Sequence, residues 1–184
     1  MPRVLIPLAQ GCEELEAVTL IDLLRRADIE VITAGLDDQP IIASRGTCLI
    51  PDTTLDTLIN QEFIMIVLPG GASGAANLNL DSRIQVLLKN TVLQGNKVAA
   101  ICAAPTVLAN IGLLDGKKAT GYPGFLDKLS LPTTTLCNDP VVIDDNVITA
   151  RGPGAAIDFA LALIEILINK SKRLEVEEGL KRSL

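Results

Sequence analysis

The sequence contains no histidine and no tryptophan, and aromatic residues make up only 2 % of its 184 residues. Without histidine, one chain cannot form a Cys–His dyad, a Ser–His–Asp triad or a histidine-ligated metal site. With few rings to stack on bases and a net charge of −6, we expect no nucleic-acid partner. Any reactive side chain must therefore exchange its proton with a carboxyl group, the backbone or water.

Long apolar runs and export signals are also missing. Hydrophobic residues make up 48 % of the sequence, but no run reaches the roughly 18 residues of a membrane span. The first residues carry one basic side chain and too short an apolar run for a signal peptide, so we expect a cytoplasmic protein without a membrane partner. Cys12, Cys48, Cys102 and Cys137 form no C-x-x-C pair, and we expect reduced thiols, no metal and no cofactor.

Apolar strands alternate with amphipathic helices along the chain. This alternation predicts an α/β fold in one domain, residues 1–184: a three-layer α/β/α sandwich of flavodoxin-like type, with a doubly wound, mostly parallel sheet and a nucleophile elbow. The predicted strands are 3–9, 29–36, 63–68, 97–101, 141–143 and 147–150, with a strand or hairpin at 41–50. The predicted helices are 13–26, 81–93, 105–113 and 155–168, followed by a charged helix or tail at 170–184.

Cys102 lies where the predicted strand 97–101 changes into a predicted helix that starts at Pro105. Ala100 and Ala104 stand two positions before and after it, the layout of a nucleophile elbow, whose sharp turn needs small neighbours and exposes the central side chain. A helix N-terminus favours thiolate over thiol, so we expect a lowered pKa for Cys102. The alternative is a structural cysteine, since free cysteines are often buried.

Two other motifs fall at predicted strand carboxyl ends, where the crevice of such a sheet lies. LPGGASG, residues 68–74, matches no nucleotide-binding loop. It is either a turn that needs glycine or a loop whose Gly71 N–H faces the thiol in an oxyanion pocket. Glu13, Glu14 and Glu16 open the first helix, where negative charge is favourable in any case, and helical spacing does not choose among them.

The motifs GCEELEAV, LPGG, AAICAAP and RGPG, in this order, resemble the ThiJ/PfpI superfamily, and most nearly its branch of Parkinsonism-associated DJ-type proteins and their bacterial relatives. The resemblance covers nearly the whole chain. It implies that Cys102 is the reactive residue and that a protonated Glu16 donates a hydrogen bond to its thiolate. It also implies that backbone groups of Gly70, Gly71 and Ala103 line the pocket and bind substrate.

The same resemblance implies a homodimer, with Asp22, Arg26 and Arg45 near the interface beside the pocket, where the arginines bind an anionic group. DJ-type members tend to carry a histidine in a short segment before a proline, at a position where this sequence has Tyr122. A tyrosine, with an ordinary pKa of about 10, is a poor base at neutral pH. Peptidase and amidase chemistry is therefore disfavoured.

The sequence leads to two functional hypotheses for Cys102. The first is a glyoxalase- or deglycase-like enzyme that acts on small reactive carbonyls, or on their adducts with proteins and amines, through a thiohemiacetal on Cys102 assisted by Glu16. The alternative is a non-enzymatic oxidative-stress sensor or redox-regulated chaperone, in which Cys102 is oxidised to a sulfinate. A cysteine peptidase comes third. We expect the other three cysteines to be unreactive.

Overall fold

Strands and helices alternate along residues 1–182, which the computed structural model describes. The strands are β1 (Arg3–Leu8), β2 (Glu30–Gly35), β3 (Ile41–Ile42), β4 (Cys48–Leu49), β5 (Thr53–Thr54), β6 (Met65–Leu68), β7 (Lys97–Ile101), β8 (Lys118–Ala119), β9 (Thr135–Leu136), β10 (Val141–Asp144) and β11 (Val147–Ala150). The helices are α1 (Glu14–Arg26), α2 (Ala72–Leu80), α3 (Ser82–Leu93), α4 (Pro105–Asn110), α5 (Ala156–Leu167) and α6 (Lys170–Gly179), and short 3-10 turns lie at Leu55–Leu58, Leu126–Lys128 and Pro153–Ala155.

Seven strands form one sheet in the order β10-β11-β7-β6-β1-β2-β5. Every neighbouring pair is parallel except β10 and β11, an antiparallel hairpin at one edge. The central strands β6 and β7 are buried nearly throughout, which explains why their sequences are continuous apolar runs instead of alternating ones. The predicted doubly wound, mostly parallel sheet is confirmed.

Helices cover this sheet in two groups. Helix α1 packs against α5, and α5 against α6; in the other group α2 packs against α3 and α4, and α3 contacts β6 and β7. The two groups and the sheet form the predicted three-layer α/β/α sandwich. Outside the main sheet, β3 and β4 form a small antiparallel hairpin, and β8 pairs with β9.

Several elements differ from the sequence prediction. Helix α2 was not expected, because its small and amide residues carry no amphipathic pattern. The two-residue strands β5, β8 and β9 are too short to give a periodic signal. Helix α4 ends at Asn110, before the predicted residue 113, and Gly112 then takes a left-handed conformation with φ 79°. Helix α6 ends at Gly179, and the predicted tail residues 183 and 184 lie outside the described part of the chain.

Three neighbouring strands bring the sequence motifs together. β7, β6 and β1 are adjacent and parallel, so their carboxyl ends meet at one edge of the sheet. β1 precedes the segment 10–13, β6 precedes the glycine loop 69–71, and β7 precedes Cys102. The crevice expected at this edge is where the candidate site lies.

Candidate active site

Cys102 sits on a strained turn between β7 and α4. Its φ is +65°, a left-handed backbone conformation that residues other than glycine rarely adopt. Two backbone hydrogen bonds hold it there: its N–H donates to the Ala150 carbonyl at 3.0 Å, and its carbonyl accepts from the Tyr122 N–H at 2.8 Å. Strain held by the surrounding structure is typical of functional sites, and this backbone is that of a nucleophile elbow.

Glu16 lies beneath the cysteine, on the inward face of the first turns of α1. Its side chain is fully buried, and its Oε2 accepts the Gly70 N–H at 2.8 Å. Its Oε1 is also buried and has no hydrogen-bond partner among residues 1–182. Burial, partly offset by the Gly70 N–H and the Cys102 side chain, raises the pKa of Glu16 to about 7. A carboxyl group with such a pKa can hold or release a proton at neutral pH.

Gly70 allows the cysteine and the carboxyl group to meet. A Cβ at this position would lie 2.6 Å from both the Cys102 Cβ and the Glu16 Oε2, so a side chain here would separate the pair. Gly70 is not among the residues that line the cavity, and its N–H is donated to Glu16; its part in substrate binding stays a prediction. Gly71 does line the cavity, with φ +87°, and a Cβ there would collide with the Gly11 carbonyl.

The Cys102 thiol and the Glu16 carboxyl group compete for a proton. Burial and the negative charge of ionised Glu16 raise the pKa of Cys102 to about 12, although the N–H groups of Gly71 and Ala103 favour the thiolate. The predicted lowering of this pKa is therefore wrong while Glu16 is ionised. A protonated Glu16 removes the repulsion and leaves the two N–H groups acting on the sulfur. The pair thus keeps at least one proton through neutral pH.

A cavity of about 520 Å³ opens above the sulfur. Cys102 is 9 % exposed and forms part of its wall together with Ala103. Tyr122, which is half-exposed, stands at one side with its ring edge-to-face against Phe125, the centroids 6.2 Å apart. The remaining wall is formed by Gly11, Glu13, Ala43, Ser44, Arg45, Gly71, Ala72, Ser73 and Pro153.

A hairpin loop carries Arg45 to the rim of this cavity, and Glu14 holds the loop in place. The Glu14 carboxylate accepts the Ser44 hydroxyl at 3.0 Å, the Arg45 N–H at 3.0 and 3.1 Å, and the Thr47 N–H at 3.4 Å. Ser44 also donates to Glu13 at 2.8 Å. Desolvation acts to raise the pKa of Glu14, but the hydrogen bonds from its own N–H, Ser44, Arg45 and Thr47 lower it to about 2.

Arg26 does not reach the cavity of its own chain. It is exposed on the last turn of α1, and its Nε donates to the Asp22 carboxylate at 2.8 Å, one helical turn earlier. Residues at i and i+4 on a helix face the same side, which explains why these two pair with each other and point to solvent. Substrate binding by Arg26 therefore requires a second copy of the chain and stays a prediction.

The other three thiols lie outside the cavity wall. Cys12 is fully buried, and burial, with Glu14 and Glu13 nearby, raises its pKa to about 11. Cys48 is exposed on β4, and Cys137 is partly buried. All four cysteines are free.

Ser44 and Phe125 are cavity residues that the sequence analysis did not single out, and Ser73 was noted only as part of the LPGGASG motif. Ser44 precedes Arg45 and Phe125 follows Tyr122 by three residues, so proximity to residues already singled out was their only signal. Ser73 belongs to the first turn of the unexpected helix α2.

Among residues 1–182, no three histidine, cysteine, aspartate or glutamate side chains are grouped so that they could hold a metal ion. None of the helices in this part of the chain has the length and apolar character needed to cross a membrane.

The sequence and the fold of the chain both have counterparts in known proteins. The chain belongs to the DJ-1/PfpI family, whose sequence model matches residues 2–166. It is 42 % identical to Protein dj-1beta of Drosophila melanogaster over 177 residues, which are 96 % of this chain and 95 % of that protein. The crystal structure of the same fly protein has a TM-score of 0.95 and 40 % identity, and the match covers 100 % of this chain and 99 % of that one.

Of two other relatives, one is much longer than this chain and one is named after an enzyme activity. Protein DJ-1 homolog A of Arabidopsis thaliana is 42 % identical over 175 residues, which are 94 % of this chain but 45 % of that protein, so the chain spans less than half of this relative. A protein of Caenorhabditis elegans named glutathione-independent glyoxalase DJR-1.2 is 36 % identical over 169 residues, 92 % of this chain and 89 % of that protein.

Proposed function

We propose that this protein is an enzyme that acts on small reactive carbonyl compounds, or on their adducts with proteins and amines, through Cys102. The observation that carries the proposal is a cysteine held at φ +65° in a cavity wall, above a fully buried glutamate whose Oε1 has no hydrogen-bond partner among residues 1–182. The name of the worm relative, a glutathione-independent glyoxalase, supports the same substrate class. No cofactor is needed for this chemistry.

The first step is addition of the thiol to the carbonyl group. The proton moves from the Cys102 sulfur to Glu16, the sulfur electron pair forms a bond to the carbonyl carbon, and the carbonyl π electrons move to its oxygen. Glu16 then returns the proton to this oxygen, which gives a neutral thiohemiacetal. The N–H groups of Gly71 and Ala103 favour the thiolate that makes the attack.

For an α-oxoaldehyde the same two side chains complete a turnover. The ionised form of Glu16 takes the proton from the former aldehyde carbon and delivers it to the neighbouring carbon, while the hydroxyl proton on the former aldehyde oxygen passes to the ketone oxygen. The product is a 2-hydroxy thioester of Cys102. Water adds to the thioester carbon and the thiol leaves with a proton, so that the net reaction is oxoaldehyde plus water to a 2-hydroxy acid. A pKa of about 7 suits Glu16 to both directions of proton transfer.

The alternative function is a redox sensor or redox-regulated chaperone. One observation favours it: the unpartnered Oε1 of Glu16 is buried beside the sulfur, where it could donate a hydrogen bond to an oxygen of a Cys102 sulfinate. A cysteine peptidase stays third, because the chain has no histidine to serve as its base.

We also propose a homodimer of a single-domain, cytoplasmic protein. Leu15 and Val18 on α1 are 51 % and 46 % exposed, and a second copy would cover them. In such a dimer, Asp22 and Arg26 of one copy would lie near the cavity of the other, where Arg26 and Arg45 would bind an anionic group of the substrate.

A methylglyoxal consumption assay, run beside intact-mass analysis after mild peroxide treatment, separates the two functions. We expect turnover by the wild type, its loss in Cys102→Ser, and unchanged turnover in Cys48→Ser, a control at an exposed thiol. Absence of turnover in the wild type, together with clean conversion of Cys102 to a stable sulfinate, would overturn the enzyme and favour the sensor.

A further inference from the structure

A second groove, which the proposed reaction does not use, lies beside the Cys102 cavity. Its volume is about 350 Å³. Tyr122 and Pro153 belong to the walls of both spaces, so the cavity and the groove are direct neighbours. The rest of its wall is formed by Pro123, Pro140, Arg151, Gly152, Gly154, Ala155 and Asp158.

The wall of this groove is smooth and mostly apolar. Three prolines present ring carbons and no N–H donors, and Gly152 and Gly154 add no side chains. The Tyr122 ring covers Gly152 so closely that a Cβ there would lie 3.0 Å from the Tyr122 Cδ2. Such a wall suits the side chains and backbone of an extended peptide better than a further small polar molecule.

The charges at the groove favour a carboxylate. Arg151 donates from Nη1 to the carbonyl and the side-chain oxygen of Asn138, at 2.9 and 3.3 Å, and these neutral groups hold the guanidinium without cancelling its charge. Asp158, in contrast, is paired with Arg182 at 2.7 Å. Among residues 1–182 Arg151 has no carboxylate partner, so this part of the chain presents its positive charge next to an apolar surface.

We propose that this groove is a second binding subsite, which takes an extended peptide segment with an acidic residue next to Arg151 while a modified side chain of the same peptide enters the Cys102 cavity. The inference rests on the proposed function and narrows its substrate class. A free α-oxoaldehyde fits within the 520 Å³ cavity and has no use for the groove. An adduct on a polypeptide must place its flanking residues outside the cavity, and the groove is the neighbouring space, with Tyr122 and Pro153 in the walls of both.

Affinity labelling tests the subsite without requiring turnover. The probe is a five-residue peptide whose central lysine carries a chloroacetyl group on Nζ: the Cys102 sulfur displaces chloride, a C–S bond replaces the C–Cl bond, and the thiol proton goes to solvent. One version has aspartates beside the lysine and the other has lysines. We expect the aspartate peptide to label wild-type Cys102 about threefold to fivefold faster, as an exposed charge pair allows.

Three variants locate the effect. Gly154 lines the groove but not the cavity, and a Cβ there meets open space, so Gly154→Leu narrows the groove without strain. We expect this variant to slow labelling of Cys102 by the aspartate peptide about tenfold. Labelling of Cys102 by iodoacetamide should stay within about twofold of the wild-type rate. Gly179→Leu, a matched control at another open glycine, should change neither rate. Arg151→Gln, which keeps a donor toward Asn138, should abolish the preference for aspartate.

A second readout is independent of the thiol. Fluorescence anisotropy with an acetyl-lysine version of the aspartate peptide should detect binding to the wild type and to Cys102→Ser, and weaker binding to Gly154→Leu. The subsite is overturned if this peptide binds Gly154→Leu and the wild type with equal affinity. It is also overturned if Gly154→Leu slows the labelling of Cys102 by iodoacetamide as much as it slows labelling by the peptides. Because binding is measured without catalysis, loss of methylglyoxal turnover alone would count against the proposed function and not against the groove.

Discussion

Two glutamates of α1, only two residues apart, have opposite environments. Glu14 faces the hairpin loop at the rim of the cavity, where its carboxylate accepts hydrogen bonds from Ser44, Arg45 and Thr47. Glu16 is fully buried under Cys102, with one N–H donor for its two oxygens. Their pKa values accordingly move in opposite directions, to about 2 for Glu14 and about 7 for Glu16.

The difference separates a carboxylate that fixes structure from a carboxyl group suited to chemistry. Glu14 is surrounded by donors, which stabilise its negative charge and keep it ionised at neutral pH. Glu16 has lost its hydration without gaining enough donors, so it binds a proton readily and can pass it to a neighbouring sulfur or oxygen. On this basis we expect substitutions of the two residues to differ in kind as well as in size.

The largest effect is expected for Glu16→Gln in carbonyl turnover. Glutamine keeps the shape and can still accept the Gly70 N–H, but it cannot exchange a proton with the sulfur or the substrate. We expect kcat for methylglyoxal to fall by about 100- to 1,000-fold, as for removal of a general acid–base. Glu13→Gln, at the rim of the same cavity, is the control, and its kcat for methylglyoxal should stay within about threefold of the wild-type value. Equal, small effects in both variants would remove Glu16 from the proposed mechanism.

The next effect is on stability as a function of pH. The folded state raises the Glu16 pKa from 4.5 to about 7, so between these values it binds more protons than the unfolded state, and the free energy of unfolding falls as pH rises. The loss amounts to about 3 kcal/mol for a shift of this size. Urea unfolding at several pH values should give this decline for the wild type but not for Glu16→Gln. Parallel curves for the two proteins would contradict the raised pKa.

Glu14→Gln should have a smaller effect with the opposite dependence on pH. The folded pKa of Glu14 is lowered from 4.5 to about 2, so its stabilisation is present above pH 4.5 and is lost as pH falls toward 2. We expect the variant to be about 1 kcal/mol less stable at pH 7, since the carboxylate is partly exposed and its hydrogen bonds are screened. Amide hydrogen exchange at Arg45 and Thr47 should become faster. Unchanged exchange at both amides would show that Glu14 does not hold the hairpin.

The smallest effect is expected for Tyr122→Phe. The phenol stands at the side of the cavity and is half-exposed, while the hydrogen bond from Tyr122 to Cys102 uses the backbone N–H, which phenylalanine retains. A phenol ordinarily keeps its proton at neutral pH, so we expect turnover to stay within about tenfold of the wild type. A loss as large as that of Cys102→Ser, with the fold intact, would mean that Tyr122 itself acts as a base in the reaction.

Much of the fold could be read from local sequence. The strands β1, β6 and β7 are apolar runs, and the amphipathic helices α1 and α3 carry apolar residues at helical spacing. The unexpected helix α2 has no such pattern, because two of its three buried residues, Gly74 and Ala75, are too small to give a hydrophobic signal. A Cβ at Gly74 would lie 2.6 Å from the Cys12 Cα, which no periodicity in the sequence reveals.

The sequence by itself determined the layered fold, the place of Cys102 at a strand-to-helix turn, and the exclusion of histidine chemistry, because these depend on composition and on short-range pattern. Only the tertiary structure decided which acid meets the thiol. Glu13, Glu14 and Glu16 are equivalent as a charged helix start, and they differ in what lies across from them: the hairpin for Glu14, and the Cys102 turn for Glu16. Proton affinity depends on desolvation and on nearby donors and charges, and these come from residues distant in the sequence.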